Sequence, residues 1–197
     1  SMSSISAVIL FAFSAMVSPG PNNLMVMHSA LNFGIKRTLK HVLGIFTGVV
    51  TIFLLVGFGL GYFLIKYPVI QTMIRVLGSF YMLYLAVKIS QMNENKTNTN
   101  VSKPLTFLGA ALFQWVNPKA WLIAITLLGM FGTERYGVFL STLYLIIMVT
   151  FINIPCLSLW MSFGKGIEKI IKKEKQRKLF NLCLGLLLAL SVVILWI

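Results

Sequence analysis

Acidic residues are nearly missing from this chain. Its 197 residues include four, Glu94, Glu134, Glu168 and Glu174, against seventeen Lys and Arg, for a formal net charge of +13. All four lie in loops or at the ends of apolar runs, so no carboxylate stands inside those runs to ligate a metal or neutralise a buried cation. Cysteine is scarce as well. Cys156 and Cys183 lie in apolar runs of the second half, without metal, redox or disulfide spacing, and read as buried apolar side chains. This argues against a membrane thiol-disulfide electron carrier, which would need a reactive cysteine in each half. Two separated histidines, His28 and His41, argue against a divalent-metal exporter. No nucleophile, base and orienting group form a set, so an enzyme is not expected, and neither is a cofactor.

Charged residues make up 11% of the chain, where a soluble domain averages about 25%. Hydrophobic residues make up 58%, and the mean hydropathy is +0.89. A water-soluble globule is thereby excluded, and the basic excess reads as membrane topology instead of nucleic-acid binding. The apolar stretch from Ile5 to Val17 lacks a basic leader and runs into Pro-Gly-Pro, not a cleavage site, so it reads as a retained span.

About 20 apolar residues cross a bilayer as a helix. By that measure the chain is an all-α polytopic membrane protein with six spans, roughly 5–33, 41–65, 70–90, 105–131, 136–163 and 179–197. The stretch from Asn93 to Val101, rich in Asn and Thr, reads as a flexible connector. Loops one (Lys36, Arg37, Lys40), three (Lys88, Lys96, Lys103) and five (Lys165 to Lys178) carry thirteen basic residues, whereas the opposite face has Lys66, Arg75 and Arg135. The positive-inside rule makes those three loops cytoplasmic and puts both termini outside. One basic residue is left over, Lys119 within span four.

Two spans are interrupted near their centres. Ser18-Pro19-Gly20-Pro21-Asn22-Asn23 breaks the first, and Gln114-Trp115-Val116-Asn117-Pro118-Lys119 breaks the fourth; Pro19 and Pro118 stand 99 positions apart. The chain therefore divides into a three-span repeat over 1–92, a polar linker over 93–104 and a second repeat over 105–197. An odd number of spans per repeat inverts the second relative to the first, a pattern that points to a secondary transporter with a site at the midplane.

Proline has no N–H, so Pro19, Pro21 and Pro118 deprive the Ala15, Val17 and Gln114 carbonyls of their helical donors. Asn22 or Asn23 is expected to cap the second half of span one, and Asn117 to cap the second half of span four with Pro118 at its first position. Each helix start offers N–H groups and a positive dipole end to an anion. A lysine at mid-bilayer costs about 2.5–3.5 kcal/mol on insertion scales. Lys119 therefore either bonds freed carbonyls, snorkels, or meets a ligand carboxylate, and the last is favoured. With no acid to meet a second cation, the fitting cargo is a small neutral zwitterion. Its carboxylate would sit at Lys119 and the helix starts at Asn22 and Asn117, and its ammonium at the freed carbonyls and Asn153.

His28 and His41 read as satisfied by local hydrogen bonds. Trp115 and Trp121 wall a cavity or pack between helices, and the glycines of span two (Gly44, Gly48, Gly57, Gly59, Gly61) permit close helix approach.

At the two broken motifs, with Gly34 and the basic turn after it and Gly44 and Gly48 in span two, the chain resembles the LysE/RhtB family of bacterial amino-acid exporters over essentially its whole length. Within that family the doubled Asn after Pro-Gly-Pro, Gln114, Val116-Asn117, Lys119, Phe151 with Asn153, and Trp160 are most similar to the cysteine and O-acetylserine exporter branch. The resemblance implies an exporter of the inner membrane working by proton antiport. Many family members carry an acid in span five near the place of Asn153, which argues against an acid-dependent coupling step here. Lys119 would travel with the departing carboxylate, so the antiported proton is expected on another group. Substrate contacts are expected from Pro19, Gly20, Pro21, Asn22, Asn23, Gln114, Asn117, Pro118, Lys119 and Asn153, with the lipid bilayer as the other partner; a homo-oligomer is left open.

Overall fold

The computed structural model describes residues 4–91 and 103–197, and every regular element among them is helical. The connector read at 93–101 lies outside the described residues. The first half opens with α1 (Ile5–Val17) and α2 (Pro21–Phe33), bent by 51°. It continues through α3 (Ile35–Leu55), a π turn (Val56–Leu60), α4 (Gly61–Lys66) and α5 (Pro68–Gln91). The second half opens with α6 (Phe107–Trp115) and α7 (Pro118–Phe131), bent by 62°, and ends with α8 (Gly137–Ile170) and α9 (Glu174–Ile194). Four continuous stretches, 35–66, 68–91, 137–170 and 174–194, are long and apolar enough to cross a membrane; each bent pair counted as one span makes six.

The helices outrun the apolar spans read from the sequence. α3 begins at Ile35 instead of 41, α8 continues to Ile170 instead of 163, and α9 begins at Glu174 instead of 179. Lys, Arg and Glu end an apolar run but are good helix formers, and their charged heads stay solvated beyond the membrane edge. The π turn is a third irregularity, with Phe58 out of helical geometry and Gly59 at φ +119°, a backbone that favours glycine.

The surface is apolar, as lipid demands: Leu10, Phe80, Phe151 and Ile194 are all strongly exposed. Cys183 is also exposed, on α9, so the expectation of two buried thiols holds for Cys156 alone. A thiol is apolar enough to face hydrocarbon, and the helical register turned Cys183 outward.

Packing is closest between α5 and α9, α2 and α8, and α3 and α6. Small residues permit it. Gly164 of α8 lies directly against the Met27 carbonyl of α2, and a Cβ on Gly48 of α3 would fall 2.6 Å from the Ala111 carbonyl oxygen of α6. These contacts seal the end of the bundle that carries the α2–α3 turn. At the other end α1 rests more loosely on α8, and α7 on α3.

A lysine joins two broken helices

At the first break, Ser18 and Gly20 are extended and Pro21 occupies the first position of α2. Gly20 is therefore the capping residue, and it has no side chain to cap with. The expected caps sit inside the first turn instead. Asn23 reaches back to the Met16 and Ser18 carbonyls, at 2.8 Å each, and Asn22 exchanges amide hydrogen bonds with Gln114 at 2.8 and 2.9 Å. Proline at the first position moved the register by one or two residues and turned both amides away from capping duty. As a result the Asn22 and Asn23 main-chain N–H groups have no partner among the described residues.

The second break follows expectation. Asn117 caps α7, its Oδ1 accepting from the Lys119 N–H at 3.2 Å, and Pro118 is at the first helical position. The Asn117 carbonyl takes the Ala120 N–H at 3.1 Å, so the first donors of α7 are already spent.

The carbonyls freed by proline do find substitute donors, but from the protein. Ala15 accepts from Ser18 Oγ (2.8 Å), Val17 from Trp160 Nε1 (3.0 Å) and Gln114 from the Asn117 N–H (3.1 Å). They are therefore not the open acceptors for an ammonium that the sequence suggested, since an orphaned carbonyl in a low-dielectric interior costs several kcal/mol (about 2–7) and the fold does not leave it so.

Lys119 crosses from one break to the other. Its Nζ donates to the Ser18 carbonyl at 3.0 Å and to Ser18 Oγ at 2.9 Å. Gly20 makes room for it, because a Cβ there would fall 2.9 Å from Nζ. Among the described residues no carboxylate meets Lys119, and the one ion pair is Lys165–Glu168, at 2.5 Å.

Two cavities meet at this lysine. A small one of about 50 Å³ is lined by Gly20, Asn22, Asn23, Asn117, Lys119 and Asn153, among others. A larger one of about 620 Å³ touches Pro19, Gly20, Pro21, Asn117, Pro118 and Lys119, and its further walls are mostly apolar: Leu64, Ile74, Met82, Leu122 and Ile125. It extends along Gln71 and Arg75 of α5 and Ile194 of α9, toward the loosely packed end. Nine of the ten expected residues line one cavity or both. Gln114 does not. It is fully buried behind the site, where it holds Asn22 and takes the Asn117 amide at 3.3 Å. Asn153, 8% exposed, lines the small cavity and has no side-chain hydrogen bond among the described residues.

Trp121 walls the large cavity and donates to the Trp115 carbonyl at 2.7 Å, whereas Trp115 turns away and donates to Thr51 at 3.1 Å. The histidines divide. His28 keeps the expected local bond, to the backbone of Ile89, through its other nitrogen, while its Nε2 and both nitrogens of His41 are buried without a partner among the described residues, beside a cavity of about 30 Å³ at the sealed end. For His41 local hydrogen bonding was expected because a buried imidazole ordinarily finds it, but the packing around it brings none of the described acceptors within reach. Ser18 is the residue that sequence reasoning left without a role. A hydroxyl immediately before Pro-Gly-Pro was the available signal.

A lysine held between two interrupted helices, beside a mostly apolar cavity in an all-helical apolar bundle, points to a membrane transporter. The chain belongs to the LysE type translocator family, whose model matches residues 13–196. It is 28% identical to the leucine efflux protein of Enterobacter sp. (strain 638), over 91% of this chain and 88% of that one. It is 29% identical to the leucine efflux protein of Salmonella choleraesuis (strain SC-B67), over 86% and 83% of the two chains. It is 26% identical to the uncharacterized membrane protein YrhP of Bacillus subtilis (strain 168), over 95% of each. No solved structure matches. Members of this family are transporters, with small amino acids as substrate and the membrane as their setting.

Proposed function

We propose that the protein exports neutral amino acids with aliphatic side chains, leucine-like in size, across the bacterial inner membrane by alternating access. The observation that carries this reading is Lys119 beside the mostly apolar 620 Å³ cavity, with no acid among the described residues to neutralise it. The substrate carboxylate takes the Lys119 ammonium together with the free N–H groups of Asn22 and Asn23 at the start of α2, where the helix dipole adds to the attraction. The side chain lies against Leu64, Ile74, Met82 and Leu122. Relatives that carry the name leucine efflux protein support this cargo. Cysteine and O-acetylserine, the cargo implied by resemblance to that branch, would leave much of the apolar wall uncovered.

With the three basic loops in the cytoplasm, both termini and the cavity mouth face outward. The cytoplasmic side is the one closed by α2 on α8 and α3 on α6. Each half runs bent pair, long helix, third helix, which supports reading 1–92 and 105–197 as inverted repeats. Exchanging the roles of the repeats then gives the inward-open state: α8 shifts its close contact from α2 to α1, and α3 from α6 to α7. A proton gradient drives the cycle, with the proton carried by a group other than Lys119.

The test is uptake into and exchange from proteoliposomes for leucine, cysteine, O-acetylserine, leucinamide and 3-methylbutylamine, with and without a pH gradient. Leucine transported and both carboxylate-blocked analogues ignored is the expected result. Equal handling of leucine and leucinamide would remove the carboxylate from recognition.

A further inference from the structure

We infer that Ser18 receives the substrate's α-ammonium, and that it becomes free to do so because Lys119 leaves it when a carboxylate arrives. This rests on the reading of Lys119 as the partner of the carboxylate, and it names the other half of the zwitterion site. Neither cavity has an acid among the described residues of its wall, so a bound ammonium is met there by neutral oxygens. The oxygens around the breaks are mostly committed: the Ala15, Met16, Val17, Gln114 and Trp115 carbonyls each hold a hydroxyl, amide or indole donor. The Ser18 pair alone holds a primary ammonium.

Its geometry is already that of an ammonium receptor. The Ser18 hydroxyl gives its hydrogen to the Ala15 carbonyl at 2.8 Å, which leaves its lone pairs for an incoming donor. The Ser18 carbonyl is steadied on one side by Asn23 at 2.8 Å and keeps the other for Nζ. Lys119 occupies this receptor on a flexible four-carbon stem, and a carboxylate is a stronger partner for it than two neutral oxygens. When the amino acid enters, one primary ammonium replaces another at Ser18, and the displaced one gains the carboxylate.

The exchange explains selection for both groups at once. An amine without a carboxylate would have to displace Lys119 without giving it a new partner. A carboxylate without an amine would draw Lys119 away and leave the Ser18 oxygens unmet. Sites built around buried polar groups reject ligands that leave those groups unpaired. The empty carrier also stays satisfied, with its cation held by Ser18 while it reorients.

The experiment measures binding of leucine, its des-amino analogue 4-methylpentanoate and its decarboxylated analogue 3-methylbutylamine to the purified full chain, by titration calorimetry. Ser18→Ala is expected to weaken leucine about tenfold while changing 4-methylpentanoate less than twofold. A Lys119→Met variant, which keeps Ser18 and vacates it, is expected to bind 3-methylbutylamine at least tenfold more tightly than the wild type does. Equal loss for leucine and 4-methylpentanoate in Ser18→Ala, or no gain of amine binding in Lys119→Met, would overturn the inference; so would finding the leucine-specific loss in Asn153→Ala instead. Should Ser18→Ala not fold, the amine arm decides alone. Failure of the underlying carboxylate reading has a separate signature, wild-type leucine affinity in Lys119→Met.

Discussion

The two interrupted spans begin from similar sequence chemistry and end with opposite roles. Each has a proline at the first position of the restarted helix, yet one restart is capped by Asn117 and the other, at Gly20, has no cap at all. The capped break spends its first donors on itself and contributes a cation, Lys119. The uncapped break keeps the Asn22 and Asn23 N–H groups open and contributes the Ser18 oxygens that hold that cation. One break thus supplies the charge and the other the groups that hold it, and the proposed zwitterion site draws on both.

The strongest way to break this comparison is to remove the charge. Lys119→Ala loses a charge-assisted interaction of about 1.5–3 kcal/mol, which corresponds to leucine binding weaker by about ten- to a hundredfold. Transport in proteoliposomes should fall to near background. Wild-type affinity would end the assignment of Lys119 to substrate.

Next in size is the support of the first break. Trp160→Phe leaves the Val17 carbonyl, freed by Pro21, without the indole that now reaches it from 143 residues away. An unsatisfied buried carbonyl costs about 1–3 kcal/mol, so the melting temperature in detergent should drop by several degrees while the cavity walls stay intact. An unchanged melting temperature would mean that the break finds its donors elsewhere.

Asn117→Ala should cost about 1 kcal/mol through loss of a side-chain cap. It should also weaken substrate binding, because the same amide touches Gln114, which holds Asn22. The control that sharpens the contrast is the uncapped side. Gly20→Ala removes no cap, and its φ of −174° suits any residue. The new methyl presses on the flexible end of Lys119 instead, so leucine affinity should fall a few fold with little change in melting temperature. Loss of stability equal to that of Asn117→Ala would erase the difference between the breaks.

Much of this site was legible in the sequence because its causes are local. Proline removes a donor wherever it stands, so the two breaks, the need of Ala15, Val17 and Gln114 for substitute donors, and the place of Pro118 followed from chain chemistry alone. The asparagine cap at Asn117 is local too, and the absence of acids from the spans made Lys119 conspicuous. What escaped depends on which way helices face. Gln114 looked like a ligand-binding amide and is a strut between the breaks, since its position on α6 turns it toward Asn22, 92 residues earlier. Asn22 and Asn23 looked like caps, but with Pro21 starting the helix they lie one and two residues inside it. The span limits slipped for a different reason: hydropathy registers where apolar side chains stop, and a helix does not stop there.

By itself the sequence determined that this is a helical membrane protein, where its spans are interrupted, and that a lone lysine lies in one interruption, because hydropathy and proline act residue by residue along the chain. Only the tertiary structure decided that the lysine reaches across 101 residues to Ser18, that Trp160 and not a ligand satisfies Val17, and that α4, α5, α7 and α9 together wall the large cavity beside the lysine. Those outcomes depend on the rotation and crossing of helices packed against each other through small residues, and a change of one residue in register would send each of these side chains to a different neighbour.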